Sequence, residues 1–197
     1  KDNLCTKLIL VNEEEVMGVN NRQELADAES IFQKKIRKKM LYNGITMLAP
    51  ETIYFSHDTK IYRDVTLGSN IYFGEDVVVY SGTKIESYCH IEGAIINKNC
   101  KIGPFARIRP KSIIKRAVNI GNYVEVKNSI IGEESKVNHL AYVGDTNIGS
   151  NTNIGAGTIM CNYDGEKKHK TRIGSKVFVG SNSSLVAPIY IKNNTFI

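Results

Sequence analysis

A chain of 197 residues, 42% hydrophobic and 23% charged, has the make-up of an ordinary folded domain with room for one sizeable core and a smaller element beside it. No stretch approaches the roughly 20 apolar residues that span a bilayer, and the start Lys1-Asp2-Asn3-Leu4-Cys5 carries no apolar signal core, so neither a membrane partner nor export is expected. The net charge of +6 invites a nucleic-acid reading, but aromatics are 8% with no tryptophan and no aromatic-basic ladder; no nucleic acid is expected, and a small polyanion suits the charge as well.

The apolar run Leu8-Ile9-Leu10-Val11 reads as a strand, followed by an acidic turn at Glu13-Glu14-Glu15. Asn21 followed by Glu24 has the spacing of a helix N-terminal cap, and Leu25, Ala28, Phe32, Ile36 and Met40 then recur every three or four residues. Asn43-Gly44 closes the pattern, so one α-helix is expected over residues 21–42. The basic run Lys34-Lys35-Ile36-Arg37-Lys38-Lys39 falls on it and reads as a solvated face.

Beyond the helix the period changes to six. Ile61, Leu67, Phe73, Val79, Ile85 and Ile91 open the series, which resumes after shortened steps at Ile96, Ile131 and Ile148. After a longer gap it runs from Ile173 to Ile197, and glycine often follows the marked residue, as in Ile102-Gly103, Ile120-Gly121 and Ile154-Gly155. Six residues of helix advance about 600°, which scatters the marked side chains over three sides. Six residues of strand return each marker to one face, provided a turn intervenes. Short strands and turns facing one interior describe a solenoid, and the hexapeptide period is a signature of the parallel β-helix. Cys5, Cys89, Cys100 and Cys161 form no CxxC pair and read as reduced thiols. His57, His90, His139 and His169 lack the short spacings of metal ligands.

Several runs resemble one family closely: Gly103-Pro-Phe-Ala-Arg-Ile-Arg-Pro110, Ile120-Gly-Asn-Tyr-Val-Glu-Val-Lys-Asn128, Asn138-His-Leu-Ala-Tyr-Val-Gly-Asp145 and Asn153-Ile-Gly-Ala-Gly-Thr-Ile-Met-Cys-Asn-Tyr-Asp-Gly165. With Lys168-His-Lys-Thr171 and Val177-Phe-Val-Gly-Ser181 they match, in order, the bacterial bifunctional N-acetylglucosamine-1-phosphate uridyltransferase/glucosamine-1-phosphate N-acetyltransferase family. The resemblance implies an all-β fold, a left-handed parallel β-helix of hexapeptide repeats with three repeats per coil, preceded by a strand and one α-helix. It implies residues 1–22 as a remnant of the uridyltransferase domain, since Glu15-Val-Met-Gly-Val-Asn-Asn-Arg22 matches its closing motif. Residues 23–44 become a linker helix and residues 45–197 the acetyltransferase β-helix, its C-terminus incomplete. A homotrimer in the cytoplasm, acetyl-CoA as co-substrate and glucosamine-1-phosphate as acceptor also follow from the resemblance, with Mg2+ serving only the missing uridyltransferase half.

Acetyl transfer to an amine requires a base, because an ammonium group cannot attack a thioester. By resemblance His139 is that base, and its place midway between the markers Val137 and Val143 puts it at a coil corner. Arg109 and Lys127 flank inward markers, so they point outward; the family match makes them sugar-phosphate anchors and gives neighbouring Arg107 no role. Glu125 is expected to orient His139 or meet the substrate amine. Tyr142 and Asn153 also face out and are implied substrate contacts. Asn162 and Tyr163, with Ala156 and Ser181, are implied to line the acetyl-CoA groove. The gap between Met160 and Ile173 reads as an extruded loop, with Lys168 and its neighbours suited to phosphates. Asn20 matches a magnesium-binding asparagine whose aspartate partner is missing, so no formed metal site is expected.

Three rivals stand beside this reading. A metal-dependent lyase on the same β-helix needs clustered histidines, and these four are irregularly spaced. A structural solenoid presents regular outward ladders, whereas the outward positions here are charged and varied. Acetylation of a different amino sugar stays open.

Overall fold

The structure, a computed structural model, describes residues 7–197; Cys5 and the first residues of the 1–22 segment lie outside them. The run Leu8–Val11 forms no strand, contrary to expectation. Leu8 is 83% exposed and Leu10 88%. Among the described residues no strand offers this run a hydrogen-bonding ladder, and a lone strand is not stable in water. A single 3-10 turn, Glu13–Glu15, follows, and Glu14 meets Lys35 at 3.2 Å.

The helix α1 spans Arg22–Tyr42. Its cap forms as expected, Asn21 Oδ1 accepting the Glu24 N–H at 2.9 Å. The Glu24 carboxylate then reaches back to the Asn20 N–H at 2.6 Å rather than to the cap residue's own. The apolar face seats only in its second half: Leu25 is exposed, Ile36 packs against the core and Met40 is buried within it. Buried Gln33 does something the apolar pattern did not foretell. Its Nε2 donates to Phe55 O at 2.7 Å and its Oε1 accepts the Phe55 N–H at 3.0 Å, so a side-chain amide stands where the next strand's peptide would. Arg37 Nε donates likewise to Ile53 O at 2.8 Å. The helix thereby covers backbone groups that an open sheet edge leaves unpaired. The basic run is thus only partly a solvated face.

Twenty-four short strands, from Thr46–Met47 to Ile189–Ile191, form three parallel sheets of eight strands each. The chain visits sheets A, B and C in turn, one strand apiece per coil, and winds a left-handed parallel β-helix. Sheet A runs from Thr46–Met47 to Phe178–Val179, sheet B from Tyr54–Phe55 to Ser184–Val186, and sheet C from Lys60–Ile61 to Ile189–Ile191. The six-residue markers from Ile61 to Ile191 are buried and stack in register, Ile102 over Ile120 over Val137 over Ile154. Ile197 departs from the series at 44% exposed, because no described residue stacks beyond it.

Two features set the coil spacing. The glycine after a marker serves close approach: a Cβ on Gly155 would lie 2.5 Å from the Gly180 carbonyl carbon in the next coil. The corners turn through left-handed residues, many of them Asn or Asp, whose side chains tolerate that region. On the outer face of sheet C four apolar residues, Val78, Ile95, Ile113 and Ile130, stand in register in consecutive coils. Sheet A carries mostly Thr, Lys and Asn in the equivalent row.

Candidate active site

The corner between sheets A and B builds a column of chemically distinct residues. Leu140 N–H donates to Asn122 O at 3.1 Å, Gly157 N–H to His139 O at 3.2 Å, and Asn182 N–H to Ala156 O at 2.7 Å. Each bond links one coil to the next, so Asn122, His139, Ala156 and Ser181 occupy the same corner position, one per coil. His139 ends the sheet A strand Lys136–His139, and its ring is exposed, as the sequence implied. Its Nδ1 lies 2.7 Å from Asn122 Oδ1. The ring opens on a cleft of about 260 Å³ whose wall includes Lys101, Asn119, Gly121 and Asn138.

The left-handed residues beside that column form a second line: Tyr88, Phe105, Tyr123, Leu140, Gly157 and Asn182. The first three rings stack at 4.9 and 5.1 Å, an exposed ridge. At Gly157 the ridge stops. Past His139 the line continues with Gly157, beside Ala156, and the Asn182 side-chain oxygen lies where a Gly157 Cβ would stand.

Sheet B supplies charge. Arg109, Glu125, Lys127 and Tyr142 come from three consecutive coils, Arg109 one residue past the strand Arg107–Ile108, with Glu125 paired to Tyr142 and Lys127 to Gly144 in register. Arg109 Nη1 lies 2.8 Å from Glu125 Oε1, each side chain 31% exposed. That hydrogen bond, against a smaller opposing effect of burial, raises the Arg109 pKa above its ordinary value. Arg109 Nε is buried without a partner. Arg107, two residues earlier on the strand Arg107–Ile108, points out into solvent. Lys127 is pushed below its ordinary value, first by the neighbouring Lys168 amine, then by partial desolvation and by Arg109, while Asp145 opposes them. The Glu125 carboxylate is engaged by Arg109, and the His139 hydrogen bond goes to Asn122, which the sequence reading did not single out.

The extruded loop lies between Ile159–Cys161 and Thr171–Ile173. Asp164 organises it, Oδ1 accepting the Glu166 and Lys167 N–H groups at 2.9 and 2.8 Å while Oδ2 meets His169 Nε2 at 2.5 Å. Those backbone donors, led by Lys167, hold the Asp164 carboxyl well below the usual carboxylate range. The turn sets Lys168 beside Lys127. Asn162 is buried at the loop's base, its amide donating to Asp145 Oδ2 at 2.5 Å and reaching the Tyr142 hydroxyl at 3.5 Å. Asn128 donates to the other Asp145 oxygen at 2.5 Å. Tyr163 is 60% exposed and donates its hydroxyl proton to Gly165 O.

The implied residues thus fall into three sets. Arg109, Lys127, Tyr142 and Lys168 gather on sheet B with Asn162 and Glu125. His139, Ala156 and Ser181 share the corner. Asn153 faces out from sheet A, between Lys136 and Phe178, apart from the sheet B set.

Asn20 does not fit a magnesium ion. Its backbone N–H and side-chain amide both donate to Glu24 Oε2, at 2.6 and 3.2 Å, and magnesium needs an octahedron of oxygen ligands. Among the described residues no group of three or more His, Cys, Asp or Glu could hold a metal, and no helix is long and apolar enough to cross a membrane.

Residues 90–165 match the family model described as the GMPPB C-terminal domain. The "Bifunctional protein GlmU" of Zymomonas mobilis is 54% identical over 90% of this chain, and that of Bartonella quintana 46% identical over its whole length. The chain spans 39% and 44% of those two relatives. Among solved structures, the UDP-N-acetylglucosamine acyltransferase of Francisella novicida has 18% identity and a TM-score of 0.53, over 71% of this chain and 55% of that one, and it shares the β-helical fold. With a corner histidine, an outward Arg-Lys pair and the Asn-Tyr-Asp-Gly loop standing where the sequence motifs placed them, and with relatives matching it end to end, the chain belongs to the GlmU family.

Proposed function

We propose that the β-helix transfers the acetyl group of acetyl-CoA to the amine of glucosamine-1-phosphate, giving N-acetylglucosamine-1-phosphate for UDP-N-acetylglucosamine synthesis in the cytoplasm. The observation that carries the reading is His139, hydrogen-bonded through Nδ1, at the edge of a face bearing Arg109, Lys127 and Lys168. Nε2 of His139 takes the proton of the substrate ammonium, and the freed amine attacks the thioester carbonyl. The C–N bond forms and an oxyanion develops; on collapse the C–S bond breaks, the departing coenzyme sulfur takes up the nitrogen's second proton and leaves as the thiol, and His139 returns its proton to solvent. The Ala156 N–H donates to no backbone carbonyl among the described residues, so it is free to meet that oxyanion. The cations hold the sugar phosphate, which a dianion between three positive side chains explains chemically. The coenzyme lies along the corner past Ala156 and Ser181, with Tyr163 and the buried Asn162 shaping the loop side.

Because Asn153 faces out from a different sheet than Arg109 and Tyr142, one chain does not assemble the implied substrate contacts. A homotrimer would bring residues of a second subunit to this site, and the apolar row on sheet C offers a contact face. Residues 1–22 and 23–44 are taken as the end of a preceding uridyltransferase domain and its linker. Acetyl release from acetyl-CoA, followed across a panel of amino sugars with and without the 1-phosphate, tests the reading. Glucosamine-1-phosphate as preferred acceptor supports it; equal turnover of unphosphorylated glucosamine would overturn the role given to the cations.

A further inference from the structure

We infer that Asn122 is the positioning residue of the histidine base, its side-chain carbonyl holding His139 in the tautomer whose Nε2 is free to accept a proton; this rests on the reading of His139 as the base. An amide oxygen has no proton to give, so the 2.7 Å contact between Asn122 Oδ1 and His139 Nδ1 requires the proton on Nδ1. The lone pair is then on Nε2, the ring's other edge.

The backbone makes this pairing. Asn122 and His139 are register partners in adjacent strands of sheet A, and Leu140 N–H donates to Asn122 O at the corner. Directly before them, Gly121 lies against Asn138 so closely that a Cβ would collide with the Asn138 carbonyl oxygen. The missing side chain lets the two coils close to the separation at which the Asn122 and His139 side chains meet. Tyr123 and Leu140, the residues that follow the pair, both turn the corner in the left-handed region. The arrangement is built rather than incidental: a glycine, a register and a corner all converge on one hydrogen bond.

A neutral acceptor here has a chemical consequence. It orients the ring without adding the counter-charge that would favour imidazolium, which cannot act as a base. Lys101 is the charged group lining the same cleft, and the Glu125 carboxylate on sheet B is engaged by Arg109. Among the described residues, Asn122 orients the ring and no carboxylate is hydrogen-bonded to it.

The test is nitrogen NMR of histidine-labelled protein together with kinetics. The parent shows His139 as the Nδ1–H tautomer, and Asn122→Ala shifts it toward Nε2–H. Because a positioned base contributes roughly 10²–10⁴-fold, Asn122→Ala lowers kcat by roughly 10- to 100-fold, with KM for both substrates within about twofold of the parent. Asn122→Asp keeps the Nδ1–H tautomer and restores most of the turnover, with the acidic limb of the kcat/KM profile moved up by about one pH unit. An Nε2–H tautomer in the parent, or an Asn122→Ala protein unchanged in both tautomer and kcat, overturns the inference. Should Asn122→Ala fail to fold, Asn122→Asp decides: an unmoved acidic limb overturns it. The tautomer is read without turnover, so it stands apart from the base assignment, which His139→Ala tests separately.

Discussion

Arg109, one residue past the sheet B strand Arg107–Ile108, reaches back to Glu125, the register partner of Arg107, Nη1 to Oε1 at 2.8 Å, and its other guanidinium nitrogens have no hydrogen-bond partner among the described residues. A carboxylate that fixes one prong of the fork leaves the other to meet a phosphate, and Lys127 and Lys168 stand on the side where that phosphate would lie. Arg109→Ala is therefore expected to raise the KM for glucosamine-1-phosphate by roughly 10- to 100-fold, the worth of a charged hydrogen bond at about 1.5–3 kcal/mol. The effect on kcat is smaller. Arg109→Lys recovers little, because a point charge cannot hold Glu125 and a phosphate at once. Steady-state kinetics over a range of acceptor concentration check this; a lost kcat at unchanged KM would place Arg109 in the chemical step instead.

Gln33 caps the first coil. Replacing it by Leu leaves the N–H and carbonyl of Phe55 buried without partners, at about 1–3 kcal/mol for each orphaned group. Gln33→Glu restores the acceptor but not the donor and is expected to fall between. Chemical denaturation of the two variants, at matched protein concentration, measures the difference; a Gln33→Leu protein as stable as the parent would show that the cap is dispensable.

The six-residue period made the inside of the coil legible because side-chain parity survives any even spacing, whatever the turns do. Every marker from Ile61 to Ile191 is buried for that reason. What parity cannot convey is which outward residues meet across coils. Asn122 and His139 are register partners, but their meeting depends on the corner and on Gly121, neither visible as a hydrophobic pattern. The coil repeat itself was the available signal: counting one coil back from His139 lands on Asn122. Gln33 was hidden because a polar residue amid an apolar face reads as solvated, and only the docked helix shows it aimed at a strand edge. The Leu8–Val11 run misled in the opposite sense, since apolar composition supplies β propensity but not a ladder partner.

The row Val78, Ile95, Ile113 and Ile130 gives the trimer proposal its own test. Ile113→Glu places a carboxylate at the centre of that row without touching the core, since Ile113 points outward between buried Ser112 and Ile114. The variant is expected to sediment as a monomer with its melting curve otherwise intact, and to lose acetylation because Asn153 no longer reaches a second subunit. Light scattering decides the first point. A trimeric Ile113→Glu protein would move the interface to another face.

Asp164 makes the loop pH-sensitive on the acid side. Its folded-state pKa lies below the unfolded value, so the order it imposes is fully present above that unfolded value, near ~3.9, and is lost as the pH falls through the folded one. The Glu166 and Lys167 amides, which Asp164 accepts, should stay protected from exchange down to pH values where ordinary carboxylates have already protonated. Asp164→Asn cannot take both bonds and the histidine contact as an anion does. Its loop amides are expected to exchange faster near neutrality, with Lys168 less well placed and acceptor KM raised. Amide exchange that is equal in parent and variant would sink this account.

Lys127 carries the alkaline counterpart. Lys168 foremost, then desolvation and Arg109, press its pKa below the ordinary lysine value, so it surrenders its proton earlier than an isolated lysine as the pH rises. A bound phosphate reverses the balance by adding negative charge among the three cations. Binding of glucosamine-1-phosphate is thus expected to take up protons on the alkaline side and to weaken with rising pH before ordinary lysines titrate. Lys168→Met removes the largest of these pressures. It should lower affinity near neutrality through the lost charge, yet carry the alkaline fall-off to higher pH, because Lys127 then keeps its proton longer. Titration calorimetry in buffers of different ionisation enthalpy reads both the affinity and the proton count. If Lys168→Met left the alkaline fall-off where it was, the two lysines would not be sharing one phosphate.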